Sequence, residues 1–256
     1  MSVLDIRIIR CRTDNYAFIV HDPESGQTMV VDTPEFGPID AELEKEGWGL
    51  DLIVNTHHHH DHVDANLALK EKYGAKVLGP KHDEGRIPGM DRGLRDGDGF
   101  SLGDHKFDVI AVPGHTLGHL AYYICDQKAV FTGDTLFSLG CGRMFEGDAE
   151  TMWHSLDLLR HLPDETLMFC GHEYTLNNGE FALTVEPNNK ALQERVAEVR
   201  ELLRAGKPTI PVTIAREKET NPFLRPESIE IRENLDMMGV ENYRVFAELR
   251  QRKDNF

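Results

Sequence analysis

Short apolar runs separated by polar turns fill the first two-thirds of the chain. They predict strands at residues 3–11, 15–21, 28–32, 50–55, 75–79, 106–112, 119–125, 128–132 and 166–170. Helix-spaced apolar positions predict helices near 38–46, 64–73 and 149–162; in the third, Met152, Leu156 and Leu159 share a face and Asp148 stands where an N-cap belongs. Strands in this number with interspersed helices predict an α/β fold, its sheets covered by helices on their outer faces. After His172 the pattern changes. Residues 188–205 place Leu192, Val196, Val199 and Leu203 on one helical face, with Gly206 as the stop. A Pro-rich connection follows, and helical spacing resumes near 227–237 and 241–252. No strand-like run of comparable strength appears there, so residues from about 174 onward read as a helical appendage.

Four of the apolar runs end in side chains suited to metal ions. Leu52-Ile53-Val54 leads into Thr56-His57-His58-His59-His60-Asp61-His62, Val109-Ile110-Ala111-Val112 leads to His115, Ala129-Val130-Phe131 to Asp134, and Leu167-Met168-Phe169 to His172. In an extended segment His57, His59 and Asp61 share one side, whereas the neighbours Asp61 and His62 reach one place only if the chain turns. The simplest arrangement is a strand end entering a loop, with His57 and His59 on one ion and Asp61 with His62 on the next. His58 and His60 are then spacers. His115 sits in the Gly-flanked turn Pro113-Gly114-His115-Thr116-Leu117-Gly118-His119. Asp134 offers two oxygens that can bridge two cations, and His172 completes the second set. A lone histidine after a strand is more often a hydrogen-bonded structural side chain than a ligand, and His119 reads as that or as support for a ligand. Five histidines and two aspartates together are too many for one tetrahedral ion and about right for two. Such a pair acidifies water and stabilises an oxyanion, which predicts hydrolysis of an ester-like, amide-like or phosphoester bond without choosing among them.

The formal charge of −16 disfavours nucleic acid and anionic membranes, both of which call for basic patches. No apolar stretch is long enough to cross a bilayer. The alternating start, Met1 to Arg7, reads as a strand and not as a secretory signal, so the expected compartment is cytoplasmic. Cys11, Cys125, Cys141 and Cys170 form no Cys-x-x-Cys pair, which suits reduced thiols. A monomer acting on a small molecule is expected.

The motif set resembles that of the metallo-β-lactamase superfamily, marked by a Thr-His-x-His-x-Asp-His cluster followed by later His, Asp and His. More narrowly, the chain is similar to the glyoxalase II (hydroxyacylglutathione hydrolase) family. That match rests on the cluster at 56–62 and on Gly140-Cys141-Gly142-Arg143-Met144-Phe145-Glu146-Gly147, Gly171-His172-Glu173-Tyr174-Thr175, Thr220-Asn221-Pro222-Phe223-Leu224-Arg225 and Arg250-Gln251-Arg252-Lys253-Asp254. The resemblance implies an αββα sandwich over residues 1–173 and a helical substrate-binding domain over 174–256. It implies that His57, His59 and His115 bind one divalent ion, that Asp61, His62 and His172 bind another, and that Asp134 bridges them. Zinc is the first choice of metal, with iron or manganese also compatible with His/Asp ligands. Asp61 would orient the attacking hydroxide. Arg143, Phe145, Tyr174, Arg250 and Lys253 would contact glutathione, and Asp14-Asn15-Tyr16 with Asp32 would lie behind the ligands. The implied reaction is hydrolysis of S-D-lactoylglutathione and related S-2-hydroxyacylglutathiones to glutathione and D-lactate, the second step of methylglyoxal detoxification. A basic clamp fits an anionic substrate on an acidic protein, and Arg250 and Lys253, three apart on a predicted helix, share one side. Family members often carry Lys and Tyr at positions 143 and 145, and Gly-Gly at 64–65, where Asp64 reads instead as a cap for the next helix. The rival readings are a mono-iron persulfide dioxygenase of the same superfamily and a metal-binding scaffold without catalysis.

Overall fold

The computed structural model describes residues 3–256, and the first two residues of the alternating start lie outside the described residues. The chain divides into two compact units: one runs to Ala111 and adds Gly118–Gly133, and the other comprises Val112–Leu117 and Asp134–Phe256.

The first unit holds two sheets. Strands β1 (Asp5–Cys11), β2 (Asn15–His21) and β3 (Thr28–Val31) pair antiparallel. From β3 the sheet continues in parallel through β4 (Leu52–Val54), β5 (Lys76–Pro80) and β6 (Met90–Leu94), with helices α1 (Phe36–Glu46), α2 (His60–Val63) and α3 (Asn66–Tyr73) in the connections. Strands β7 (Gly99–Leu102), β8 (His105–Ala111), β9 (Leu120–Ile124) and β10 (Ala129–Gly133) pair antiparallel in the order β10-β9-β8-β7. The central strands of the first sheet are apolar at nearly every position because both faces are covered. Ala17, Ile19, Val30, Ile53 and Val77 form a core with Ile39 and Leu43 of α1 and Leu69 of α3. On the opposite face Phe18 meets Phe131 of β10, ring centroids 5.3 Å apart. Helix, sheet and sheet thus follow one another, as three layers of the expected sandwich. Helices α1 and α3 both end at a left-handed glycine, Gly47 and Gly74, where a β-carbon would be strained.

The second unit contains the hairpin β11 (Leu136–Phe137) and β12 (Gly140–Cys141), then α4 (Ala149–Arg160) and β13 (Leu167–Cys170). Helices α5 (Thr175–Val185) and α6 (Lys190–Arg204), strand β14 (Val212–Thr213), and helices α7 (Ile214–Thr220), α8 (Ile229–Asn234) and α9 (Asn242–Asp254) follow. Asp148 caps α4 as predicted, its carboxylate accepting from the Thr151 amide at 2.8 Å. Leu192, Val196 and Val199 of α6 are buried, while Leu203 is only partly so. Helix α5 is a departure, since its Asn177-Asn178-Gly179 segment reads locally as a turn. Tertiary packing overrides that signal: a β-carbon at Gly179 would sit 2.7 Å from Val196, so the glycine permits α5 and α6 to approach closely. The short antiparallel pairing of β13 with β14 interrupts a region expected to be purely helical. Among the described residues no helix is long and apolar enough to cross a membrane.

Candidate metal centre

In the first unit the chain leaves β4 and presents its histidines at once. The expected loop is in part helical: the chain bends at Thr56 and His57, is extended at His59, and α2 begins at His60. That single turn is what brings the neighbours Asp61 and His62 together, with Asp61 Oδ2 3.7 Å from His62 Nε2. His57 Nε2 faces His59 Nδ1 at 3.1 Å, and the His57 and His62 ring centroids are 4.2 Å apart.

Each of these side chains is held from behind. The Asp32 carboxylate is buried and accepts from the Thr56 amide and hydroxyl, both at 2.8 Å, and it pairs with His62 Nδ1 at 2.8 Å. His57 Nδ1 bonds the Thr56 hydroxyl at 3.0 Å, which turns Nε2 outward. Asn15 donates to Asp61 Oδ2 and to the Asp61 carbonyl, each at 3.0 Å. His119 is buried and stacks on His57 at 4.7 Å. His58 pairs with the buried Asp83 at 3.0 Å and with Arg86, and the His60 side chain is 96% exposed, so both sit as spacers. Asp64 does not cap α3: Ala65 occupies the cap position, and Asp64 instead forms an ion pair with Arg12.

In the second unit Asp134 Oδ2 lies 3.6 Å from His115 Nε2 and 3.3 Å from His172 Nε2. The carbonyl of Arg143 accepts from His115 Nδ1 at 2.8 Å, which again leaves Nε2 pointing at the carboxylate. Tyr174 stacks on the His172 ring at 4.7 Å with planes 5° apart, and the exposed Phe145 meets His115 edge-on at 5.3 Å.

All seven expected ligands belong to groups of His and Asp side chains able to hold an ion. The donor chemistry fits divalent metals: His57, His62 and His115 are each oriented through their inner nitrogen by an oxygen and present the outer one, the usual arrangement behind a ligating imidazole. Sequence reasoning did not find Asp83 or the Arg143 carbonyl. The carbonyl's only trace in the sequence is the Gly-Cys-Gly segment that lets the backbone come close.

The cationic residues have specific partners. Arg250 is 4% exposed; it donates to the Cys141 carbonyl at 2.8 Å, pairs with Asp254 at 3.0 Å and covers the Phe223 ring. Arg143 also reaches Asp254, at 3.5 Å. Lys253 bonds Asn177, and its ammonium pKa is pushed down to about 8 by burial and by the positive charges of Arg250 and Arg143. Because Arg250 is packed so deeply, Arg250→Ala is expected to lower stability by roughly 2 kcal/mol or more, beyond any effect on substrate. Denaturant unfolding checks this, and an unchanged midpoint would count against a bracing role.

Residues 12–172 match the family described as the metallo-beta-lactamase superfamily, and residues 173–256 match the hydroxyacylglutathione hydrolase C-terminus. The hydroxyacylglutathione hydrolases of Rhizobium johnstonii and Rhizobium etli are each 53% identical over the full length of both chains. That of Brucella anthropi is 52% identical, covering 99% of this chain and 97% of its own. A solved structure of ETHE1 from Myxococcus xanthus is 26% identical, covers 97% of this chain and 98% of that one, and superimposes with a TM-score of 0.67. The BLEG-1 B3 metallo-beta-lactamase, 20% identical over 86% of this chain and all of its own with a TM-score of 0.66, shares the fold. Full-length identity of this order, with the two family matches meeting directly after His172, shows that the chain belongs to the hydroxyacylglutathione hydrolase (glyoxalase II) family of the metallo-β-lactamase superfamily.

Proposed function

We propose that the chain is a thioester hydrolase that converts S-D-lactoylglutathione and related S-2-hydroxyacylglutathiones to glutathione and D-lactate, the second step of methylglyoxal detoxification. The observation that carries this reading is the 53% identity to hydroxyacylglutathione hydrolases over the whole chain. A complete His/Asp ligand complement supports it. In this reading His57, His59 and His115 hold one divalent ion, Asp61, His62 and His172 hold a second, and Asp134 bridges them. Zinc is the first choice, with iron or manganese compatible. Bound there, the ions would supply water acidified to near neutral pH and electrostatic stabilisation of the carbonyl oxygen.

The chain's own residues supply the rest. Asp61, fixed by Asn15, accepts a hydrogen bond from the attacking water and sets its direction. Arg143 and Phe145 from the catalytic domain of residues 1–173, and Tyr174, Arg250 and Lys253 from the substrate-binding domain of residues 174–256, hold the glutathione moiety. The leaving thiolate has a conjugate acid of pKa about 8.5 by analogy with cysteine, so no separate general acid is required. Elemental analysis beside a hydrolysis assay tests the reading. Two metals per chain with turnover of the thioester are expected. One iron with oxygen consumption, or bound metal with neither activity, would overturn it.

A pH dependence follows for substrate binding. Lys253 loses its charge as pH rises through about 8, so KM for the anionic thioester should rise above that pH. Lys253→Arg should remove the rise, and an identical KM–pH profile in the variant would rule the lysine out. The stability effect has the opposite sign. Between about 8 and 10.5 the unfolded chain holds a proton on Lys253 that the folded chain does not, so folding gains stability with rising pH in that window.

A further inference from the structure

Glu217 of α7 has no solvent exposure and takes no part in the chemistry above. Its Oε1 accepts from the Ser138 hydroxyl at 2.8 Å. Its Oε2 accepts from the Leu139 amide at 2.8 Å and from the Asn221 side-chain amide at 2.9 Å. The same Asn221 nitrogen donates to the carbonyls of Phe137 and Gly140, at 3.1 and 3.0 Å. Asn178 of α5 adds a bond to the Ser138 carbonyl at 3.2 Å. All these bonds converge on the turn between β11 and β12. That turn places Leu139 at a φ of +59°, a conformation that a residue with a branched side chain and a β-carbon adopts only under external restraint.

A buried carboxylate is costly unless several donors surround it, and here the donors are the backbone and side chains of this turn. Burial pushes the Glu217 pKa up, while the bonds from Leu139, Ser138 and Asn221 and the nearby Arg195 charge pull it down.

The hairpin is bounded on one side by a candidate ligand and on the other by backbone that orients one. Asp134 stands two residues before β11. On the other side Gly142 follows β12, and its amide donates to the Thr135 carbonyl at 3.2 Å. Next comes Arg143, whose carbonyl orients His115. The turn held by Glu217 therefore sets the spacing between the Asp134 carboxylate and the His115 imidazole.

We propose that Glu217 is a positioning residue for the metal centre, fixing the β11–β12 hairpin and through it the geometry of Asp134 and His115. This inference rests on the two-metal reading above.

Glu217→Gln tests it, because it keeps the shape but removes the charge and leaves one side-chain oxygen to accept where the carboxylate had two. Glu186→Gln is the control. Glu186 is also buried, but its partners are Arg225, Ser228 and Asn189, none of which bonds to the hairpin. Metal affinity is read by competition with a chromophoric zinc chelator, and stability by denaturant unfolding. Both variants should lose stability. Only Glu217→Gln should lose zinc affinity, by about 10–100-fold, as for other residues that orient ligands from behind. At limiting zinc its kcat should fall with KM little changed. Ser138→Ala, which removes a single bond to the carboxylate, should shift affinity the same way by about 3–10-fold, and it gives the answer if Glu217→Gln does not fold. Unchanged affinity in the folded variant, or an equal loss in Glu186→Gln, overturns the positioning role while wild-type protein still binds two ions. Failure of the wild-type protein to bind zinc would instead overturn the two-metal reading, and this inference with it.

Discussion

Asp134→Ala is expected to release bound metal and to lower thioester hydrolysis by about a thousandfold or more, on the order of 4 kcal/mol in the barrier. Asp134 Oδ2 lies 3.6 Å from His115 Nε2 and 3.3 Å from His172 Nε2, so one oxygen is placed toward both imidazoles. In the two-metal reading its negative charge offsets the repulsion between two dications, which neutral imidazoles cannot do. Asp134→Asn keeps the shape but removes the charge, and it should lose nearly as much. Metal content after dialysis, measured beside turnover, checks both variants. Retention of two ions with a normal rate would refute the bridging assignment.

Gly142→Ala is expected to be the most disruptive change of a residue with no side-chain chemistry. A β-carbon there would run into the carbonyl of Asp134 and stand 3.1 Å from His115 Nδ1. The obstacle is backbone, so no flexible side chain can swing away. Relief requires moving Asp134 or His115, the two groups whose relative position matters most. We expect a loss of roughly 3 kcal/mol in stability together with weakened metal binding. Gly37→Ala is the counterpart: nothing lies within 4 Å of a β-carbon at that α1 position, and the change should stay within about 0.5 kcal/mol of neutral. Comparable losses in the two variants would show that the close approach at Gly142 is not what matters.

All nine predicted strands are present, within two residues of their expected ends, because runs such as Met29-Val30-Val31 and Ala129-Val130-Phe131 are buried on both faces. Strands β6 and β7 escaped notice because Asp91-Arg92 and Ser101 are exposed and break the apolar pattern. Helix α7 was hidden between prolines, and its start depends on Thr213 accepting from the Arg216 amide at 3.2 Å, a cap that apolar spacing does not reveal. The spacing of the His57–His62 cluster puts His57 and His59 on one side, and their ring nitrogens face each other at 3.1 Å. It did not foretell that a single helical turn at His60 would bring Asp61 to His62.

Arg250 and Lys253 show the same limit. Their separation of three residues on α9 was readable as a shared face. The burial of Arg250 against Cys141 and Phe223 comes from partners far away in sequence, and the drop in the Lys253 pKa from burial and from the charges of Arg250 and the distant Arg143.

By itself the sequence determined the identity of the seven candidate ligands, the strands that end at them and the change to helices near residue 174, because residue type, short-range periodicity and capping act within one element. Only the tertiary structure decided what stands behind each ligand: Asp32 behind His62, the Arg143 carbonyl behind His115, and Glu217 beneath the hairpin after Asp134. Those contacts join residues 28 to 78 positions apart. A hydrogen bond between distant residues exists only once packing has excluded water and set both backbones, and no local pattern in the chain encodes that.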